Sequence, residues 1–194
     1  MVKENNYTHA AAFIAAVMLM MTCGSVSAHA QRTMNRQNVV TLEAASSCYS
    51  FKDVGMHASW GQYGLTWYWK AWLNAGPYSI TVKTGDRMTY GQVTSGADFM
   101  YRLVSNRRRS LSLYAGGGAF LGIESYNLWH KLPPYIETDF PKARFLYGLD
   151  ASLEFEAYIS RTVALTVSGT APFTISSLVR PFHFQLRLGV RVAL

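Results

Sequence analysis

The stretch "FLYGLDASLEFEAYIS", Phe145 to Ser160, separates its side chains into two sets. Phe145, Tyr147, Leu149, Ala151, Leu153, Phe155, Ala157 and Ile159 are apolar. Leu146, Gly148, Asp150, Ser152, Glu154, Glu156 and Tyr158 alternate with them and include three carboxylates. Successive side chains of a β-strand point to opposite sides, so strict alternation over this length predicts one long strand with a greasy face and a polar face. The fold depends on which of these faces is inside.

Working outward, the same pattern recurs. Val54, Met56, Ala58 and Trp60 share a face. Leu65, Trp67, Trp69, Ala71 and Leu73 oppose Thr66, Tyr68 and Lys70. "NAGP" at 74–77 has turn chemistry, and after it Tyr78, Ile80 and Val82 alternate with Ser79, Thr81 and Lys83. Ala97, Phe99, Tyr101 and Leu103 alternate with Asp98, Met100 and Arg102. The odd positions 111–123 oppose Ser112, Tyr114, Gly116, Gly118 and Gly122. Val163, Leu165, Val167 and Ala171 oppose Thr162, Thr166, Ser168 and Thr170. The even positions 182–194 oppose His183, Gln185, Arg187, Gly189 and Arg191. These are eight predicted strands with no helical stripe among them. Residues 31–50 show no periodicity and read as a leader or linker. "NAGP", "NRRR" at 106–109 and "SR" at 160–161 read as short turns, and 84–96, 125–143 and 172–181 as longer loops. Short turns at one end and longer loops at the other are the habit of outer-membrane barrels.

Composition favours the greasy face outside. The chain has 194 residues, with only 15% charged, 14% aromatic, 12 Tyr and 5 Trp, against roughly 25% charged in an ordinary soluble domain. The polar sets are rich in Gly, Ser and Thr, which suit the crowded interior of a small barrel. The apolar sets carry the Trp, Phe, Tyr and Leu that suit lipid and its interface. We therefore expect an all-β, roughly eight-stranded antiparallel outer-membrane-type barrel over 51–194. A secreted soluble β-barrel binding module, with its apolar side chains inside, is the alternative.

The N-terminus reads as an export signal over 1–30. Lys3 precedes an apolar run from Ala10 to Met21, too short to span a membrane, and "SAHAQ" offers Ala28 and Ala30 as the small residues before cleavage at Gln31. Cys23 offers lipidation as the other route. The mature chain keeps one cysteine, Cys48, and so no internal disulfide. The net charge of +7 raises nucleic-acid binding, but "NRRR" is the one basic run and reads as a solvated turn. No sequence-specific nucleic-acid binding is expected.

Motifs that carry chemistry are few. "GGGAFLG" at 116–122 sits within a strand and lacks phosphate-binding spacing. His57, His130 and His183 have no metal-ligand spacing, and no cofactor or metal is expected. One constellation remains. Asp150, Glu154 and Glu156 share one polar face, and His183, Arg187 and Arg191 another. Inside a membrane barrel such charges are costly unless paired. The two strands run in the same direction with one strand between them. Equal spacing then predicts Asp150 with Arg187 and Glu154 with Arg191, or one shared network including Glu156. The network reads as a structural plug, with an ion path or an acid/base site as the functional alternatives.

The tail is also familiar as a whole. "LSLYAGGGAFLGIESYN", "RFLYGLDASLEFEAYIS", "VALTVSG" and "FHFQLRLGVRV" follow in an order and spacing that resembles the TraO family of conjugal transfer proteins, carried by Bacteroides-type conjugative transposons. The resemblance covers about residues 50–194. It implies an exported β-barrel at the outer membrane, a part in the mating-pair, type IV-like transfer apparatus, and other transfer proteins as partners. It brings no catalytic residues. A non-enzymatic anchor or accessory part is the expectation. A small lipid-modifying barrel enzyme, with His183 or His130 as base, is the rival.

Overall fold

In the computed structural model, which describes residues 36–47, 50–81, 87–107, 109–125, 143–177, 182 and 184–194, the stretch 145–160 lies almost wholly in one strand. Eight strands follow in chain order: β1 (Asn38–Ser47), β2 (Ser50–Tyr63), β3 (Trp67–Thr81), β4 (Arg87–Ser105), β5 (Leu111–Ser125), β6 (Ala143–Tyr158), β7 (Val163–Thr174) and β8 (Gln185–Ala193). Each pairs antiparallel with the next, and β8 returns to β1, closing the barrel. Closure leaves no sheet edge along the wall.

The registers show how far the wall is staggered. Tyr63 N–H bonds Gln37, and Tyr63 sits opposite Tyr68. From there the pairing passes through Met100, Gly116, Ser152, Thr170 and Gln185 to Ser47, back on the first strand. The circuit begins at 37 and ends at 47, a stagger of 10 residues. Stagger of this kind tilts the strands by about 40° and leaves an interior that side chains can fill.

Burial gives the orientation of the faces. Along β6 the exposed and buried positions alternate, with Leu149 and Leu153 outside and Asp150, Ser152, Glu154 and Glu156 inside. The outside is an apolar band that includes Leu42, Met56, Leu73, Val93, Leu121, Ile123 and Leu188. Trp60, Trp67, Phe99 and Tyr101 lie toward the short-turn end of this band, with Trp60 edge-on to Trp69 and Trp67 stacked on Phe99. Phe145, Tyr147, Phe173, Phe182 and Phe184 lie toward the other end. Two aromatic girdles around an apolar band match the two interfaces of a bilayer. This is the inverse of a soluble barrel, so the secreted binding module with an apolar interior is set aside.

Several expectations are corrected. Residues 38–47 are no leader: they form β1 and close the barrel. Their alternation is weak because Val39 and Ala45 point inward with Thr41 and Glu43. "NAGP" is no turn: it lies within β3, whose predicted halves 65–73 and 78–82 are one strand. Pro77 is tolerated there because it lies beyond the last β2–β3 pair, Met56 with Ala75, while its β4 side stays paired with Gly91. Tyr78 points into the lumen, where its hydroxyl finds polar partners. Residues 87–96 belong to β4 and 172–174 to β7, so the predicted loops 84–96 and 172–181 are too long by those residues. The turns 64–66, 106–110 and 159–162 share one end of the barrel. The proposed signal, with Ala28, Ala30 and Gln31, lies outside the described residues, as do Cys48, His130 and His183.

Candidate functional site

The lumen is the site that the fold builds. Even-numbered positions of β3 to β7 aim Lys70, Asp98, Glu154 and Glu156 into it, and odd-numbered positions of β8 aim Arg187 and Arg191. Space for them comes from β5, where Gly116 and Gly118 stand opposite Met100 and Asp98. A side chain at Gly118 would run into the Ala97 carbonyl and the Asp98 carboxylate, and one at Gly116 into the Met100 sulfur. Gly116 and Gly118 therefore make room for lumen side chains, Met100 and Asp98, rather than cradle a phosphate.

Arg191 is the hub nearer the short turns. Its Nη2 lies 2.7 Å from Glu154 Oε1 and its Nη1 3.4 Å from Glu156 Oε1. Nε donates to Thr41 Oγ1 (2.9 Å) and Nη1 to the Tyr63 hydroxyl (2.8 Å). The Tyr63 hydroxyl donates to Glu156 Oε1 and the Tyr68 hydroxyl to Glu154 Oε1, each at 2.5 Å. The guanidinium also faces the Tyr68 ring, 4.9 Å from its centroid. Lys70 Nζ reaches Glu154 Oε2 (3.0 Å) and Asp98 Oδ2 (3.6 Å), and Trp72 Nε1 donates to Asp98 Oδ1 (2.6 Å). Glu154 and Glu156 are 0% exposed, so the cations that answer them come from within the protein, Arg191 for both and Lys70 for Glu154.

A second chain lies nearer the long loops. Thr166 donates to Glu43 Oε1 (2.8 Å), and Glu43 Oε2 lies 3.1 Å from His57 Nδ1. Arg187 Nη1 is 2.8 Å from His57 Nε2. A guanidinium only donates, so Nε2 accepts and the imidazole proton sits on Nδ1, on the Glu43 side of the ring but without a well-aligned hydrogen bond to it. Arg187 Nη2 leads on to Gln185 Oε1 (3.5 Å), and Gln185 Nε2 and Asn74 Nδ2 both donate to the Tyr78 hydroxyl (3.0 and 3.1 Å). Trp72 joins the two chains. Its indole N–H belongs to the first, and its ring lies beside His57 (5.6 Å) and under Arg187 (5.7 Å).

The sequence-predicted residues are thus partly brought together. Glu154 and Arg191 meet, with Glu156 in the same cluster. No ion pair joins Asp150 to Arg187: the two line one cavity with Trp72, Phe120 and Asn74, and Asp150 Oδ1 has no hydrogen-bond partner. The reason is on the far side of β8. That strand pairs with β1, and beyond β1 stands β2, so Arg187 turns to His57 instead. Sequence reading missed Glu43, His57, Lys70, Asp98, Tyr63, Tyr68 and Trp72 as members. Lys70, Asp98 and Tyr68 already stood in the polar sets. Glu43 was hidden by the reading of 31–50 as a leader. Among the described residues no three His, Cys, Asp or Glu side chains are grouped to hold a metal.

An eight-stranded barrel with an apolar belt and charges inside is a design shared by many outer-membrane proteins, so family must come from the sequence. The family described as "Conjugative transposon protein TraO" matches residues 60–194, from the end of β2 through β8. This chain belongs to that TraO family. No curated protein matches it. Solved structures similar to it are outer-membrane barrels of other sequence. The outer membrane protein OprG of Pseudomonas aeruginosa has TM-score 0.59 at 8% identity, covering 87% of this chain and 99% of that one. Neisserial surface protein A has TM-score 0.55 at 16% identity, covering 81% and 95%. Ail, the attachment invasion locus protein of Yersinia pestis, has TM-score 0.51 at 10% identity, covering 83% and 100%. At such identities the likeness is one of fold. The TraO match covers the strands that carry Lys70, Asp98, Glu154, Glu156, Arg187 and Arg191, and begins after β1, which carries Glu43.

Proposed function

We propose that this TraO chain is an outer-membrane component of a conjugative DNA-transfer apparatus, serving as a non-enzymatic anchor or accessory part. The observation that carries the reading is the family match over 60–194, a conjugative transposon family, on a barrel whose apolar belt is built for lipid. The filled lumen favours an anchor over a conduit: Arg191, Tyr63, Tyr68 and Glu154 occupy the axis that a DNA strand would need. In this reading the short turns face the periplasm, the longer loops face outward, and other transfer proteins are met through the exposed ends. Export by cleavage after Ala30 belongs to the same reading.

The test uses cells carrying the intact element with a tagged full-length chain. The reading expects the protein in the outer-membrane fraction, transfer proteins co-purifying with it, and loss of transfer when it is deleted. A soluble protein, or unchanged transfer frequency after deletion, overturns it. The rival lipid-modifying enzyme rests on His130 or His183. Alanine at each should leave transfer intact, and loss of transfer with the barrel still folded would favour the enzyme.

A further inference from the structure

The short-turn rim is strongly basic. Arg36, Arg102, Arg107, Arg109 and Arg161 stand there, and among the described residues the turns and strand ends of this rim carry no Asp or Glu side chain. Around one turn the arginines have an unusual neighbour. The β4–β5 register shifts between Arg102 and Val104, a bulge that turns both Leu103 and Val104 outward, 54% and 64% exposed. In an unbroken strand one of the two would face the lumen. Leu65, also exposed, sits beside them, because Arg102 N–H bonds the Thr66 carbonyl and Arg102 Nη2 donates to the Leu65 carbonyl (2.5 Å). Trp67 stacked on Phe99 (5.4 Å) lies next along the wall. Asn106 Oδ1 accepts from the Ser110 and Leu111 amides, holding the turn that carries Arg107 and Arg109.

From this juxtaposition we propose that the β4–β5 turn binds the phosphate of an anionic phospholipid, whose acyl chains lie over Leu65, Trp67, Leu103 and Val104. The arginines supply the fork that matches a phosphate, and the aromatic pair marks the level of the headgroups. The apolar step is what selects a lipid over other anions. Inorganic phosphate or an acidic protein segment would use the arginines and leave Leu103 and Val104 without a partner. The inference rests on the membrane reading but not on the role in transfer.

The experiment takes the full barrel, purified in neutral detergent, and measures by native mass spectrometry how much phosphatidylglycerol or phosphatidylcholine it retains. Wild type should retain the anionic lipid roughly tenfold better, given the attraction of several arginines near a charged headgroup. Arg107→Gln with Arg109→Asn should bring the two lipids near parity. Asn suits the positive φ of 54° at position 109. Leu103→Ser with Val104→Ser should also weaken retention. Arg161→Gln, on another turn, should leave it unchanged. Heat-modifiable migration confirms that each variant is folded. Equal retention of both lipids by wild type overturns the proposal. So does a preference that survives the double arginine change, or displacement of the lipid by millimolar inorganic phosphate. Capture of an acidic protein on this turn with no lipid preference overturns it as well. A barrel that transfers DNA normally without the lipid preference sinks this inference alone, whereas a barrel found outside the membrane sinks both.

Discussion

At the scale of single residues, Arg191 carries the largest share of the lumen's charge balance. It answers Glu154 and Glu156, both fully buried, and accepts no substitute nearby, since Lys70 already serves Glu154 and Asp98. Arg191→Met should therefore destabilise the barrel by about 3–5 kcal/mol, because it leaves buried carboxylates uncompensated. Urea titration of the refolded barrel in lipid measures this. Removing Glu154 as well should cost less than the sum of the two single changes, and simple additivity would mean that the pair does not interact. Glu156→Gln should be milder, about 1 kcal/mol, since an amide oxygen can still accept from the Tyr63 hydroxyl. The Glu154–Arg191 contact was legible in the sequence from two facts, parity along each strand and equal strand direction. The partner of Arg187 was not. Which way a long guanidinium turns depends on strands the spacing argument never included, here β1 and β2 with Glu43 and His57.

At the scale of the strand, β6 was readable because its outward face is apolar from Phe145 to Ala157 while its inward face carries Asp150, Ser152, Glu154 and Glu156, whereas β1 was not, because valine and alanine sit on the same face as threonine and glutamate. β3 was split in two by a glycine and a proline whose turn chemistry is overridden where the neighbouring ladder has already ended. The eight strands of the reading and the eight of the barrel thus agree in number through two misreadings that offset each other. The faces of β6 give a direct test. Leu153, 51% exposed on the lipid side, should not tolerate charge: Leu153→Arg should cost about 2–4 kcal/mol near mid-membrane and hinder insertion. Ser152→Ala, its lumen neighbour, loses one bond to Thr170 and should cost about 1 kcal/mol with insertion intact. Deleting 38–47 should abolish the heat-modifiable folded form, since β2 and β8 would each be left with a raw edge. A folded form without β1 would mean that the barrel can close on seven strands.

At the scale of the molecule, two chains of polar contacts joined at Trp72 run through the barrel from Tyr63 to Tyr78. The reconstituted protein should accordingly show no large, steady conductance in planar bilayers, and a persistent open pore would overturn the plug. N-terminal sequencing of the membrane-extracted protein should begin at Gln31, and a start elsewhere or a lipid on Cys23 would replace the proposed cleavage. The closing seam between β1 and β8 sets a timetable as well as a shape. Along the chain β1 is made first, and its second partner, β8, is made last, with β2 to β7 between them. A chain in which that meeting has not happened would leave β1 and β8 each with an unpaired margin. If export follows the route proposed above, survival on the way to the membrane is a race between joining its own two ends and joining a stranger.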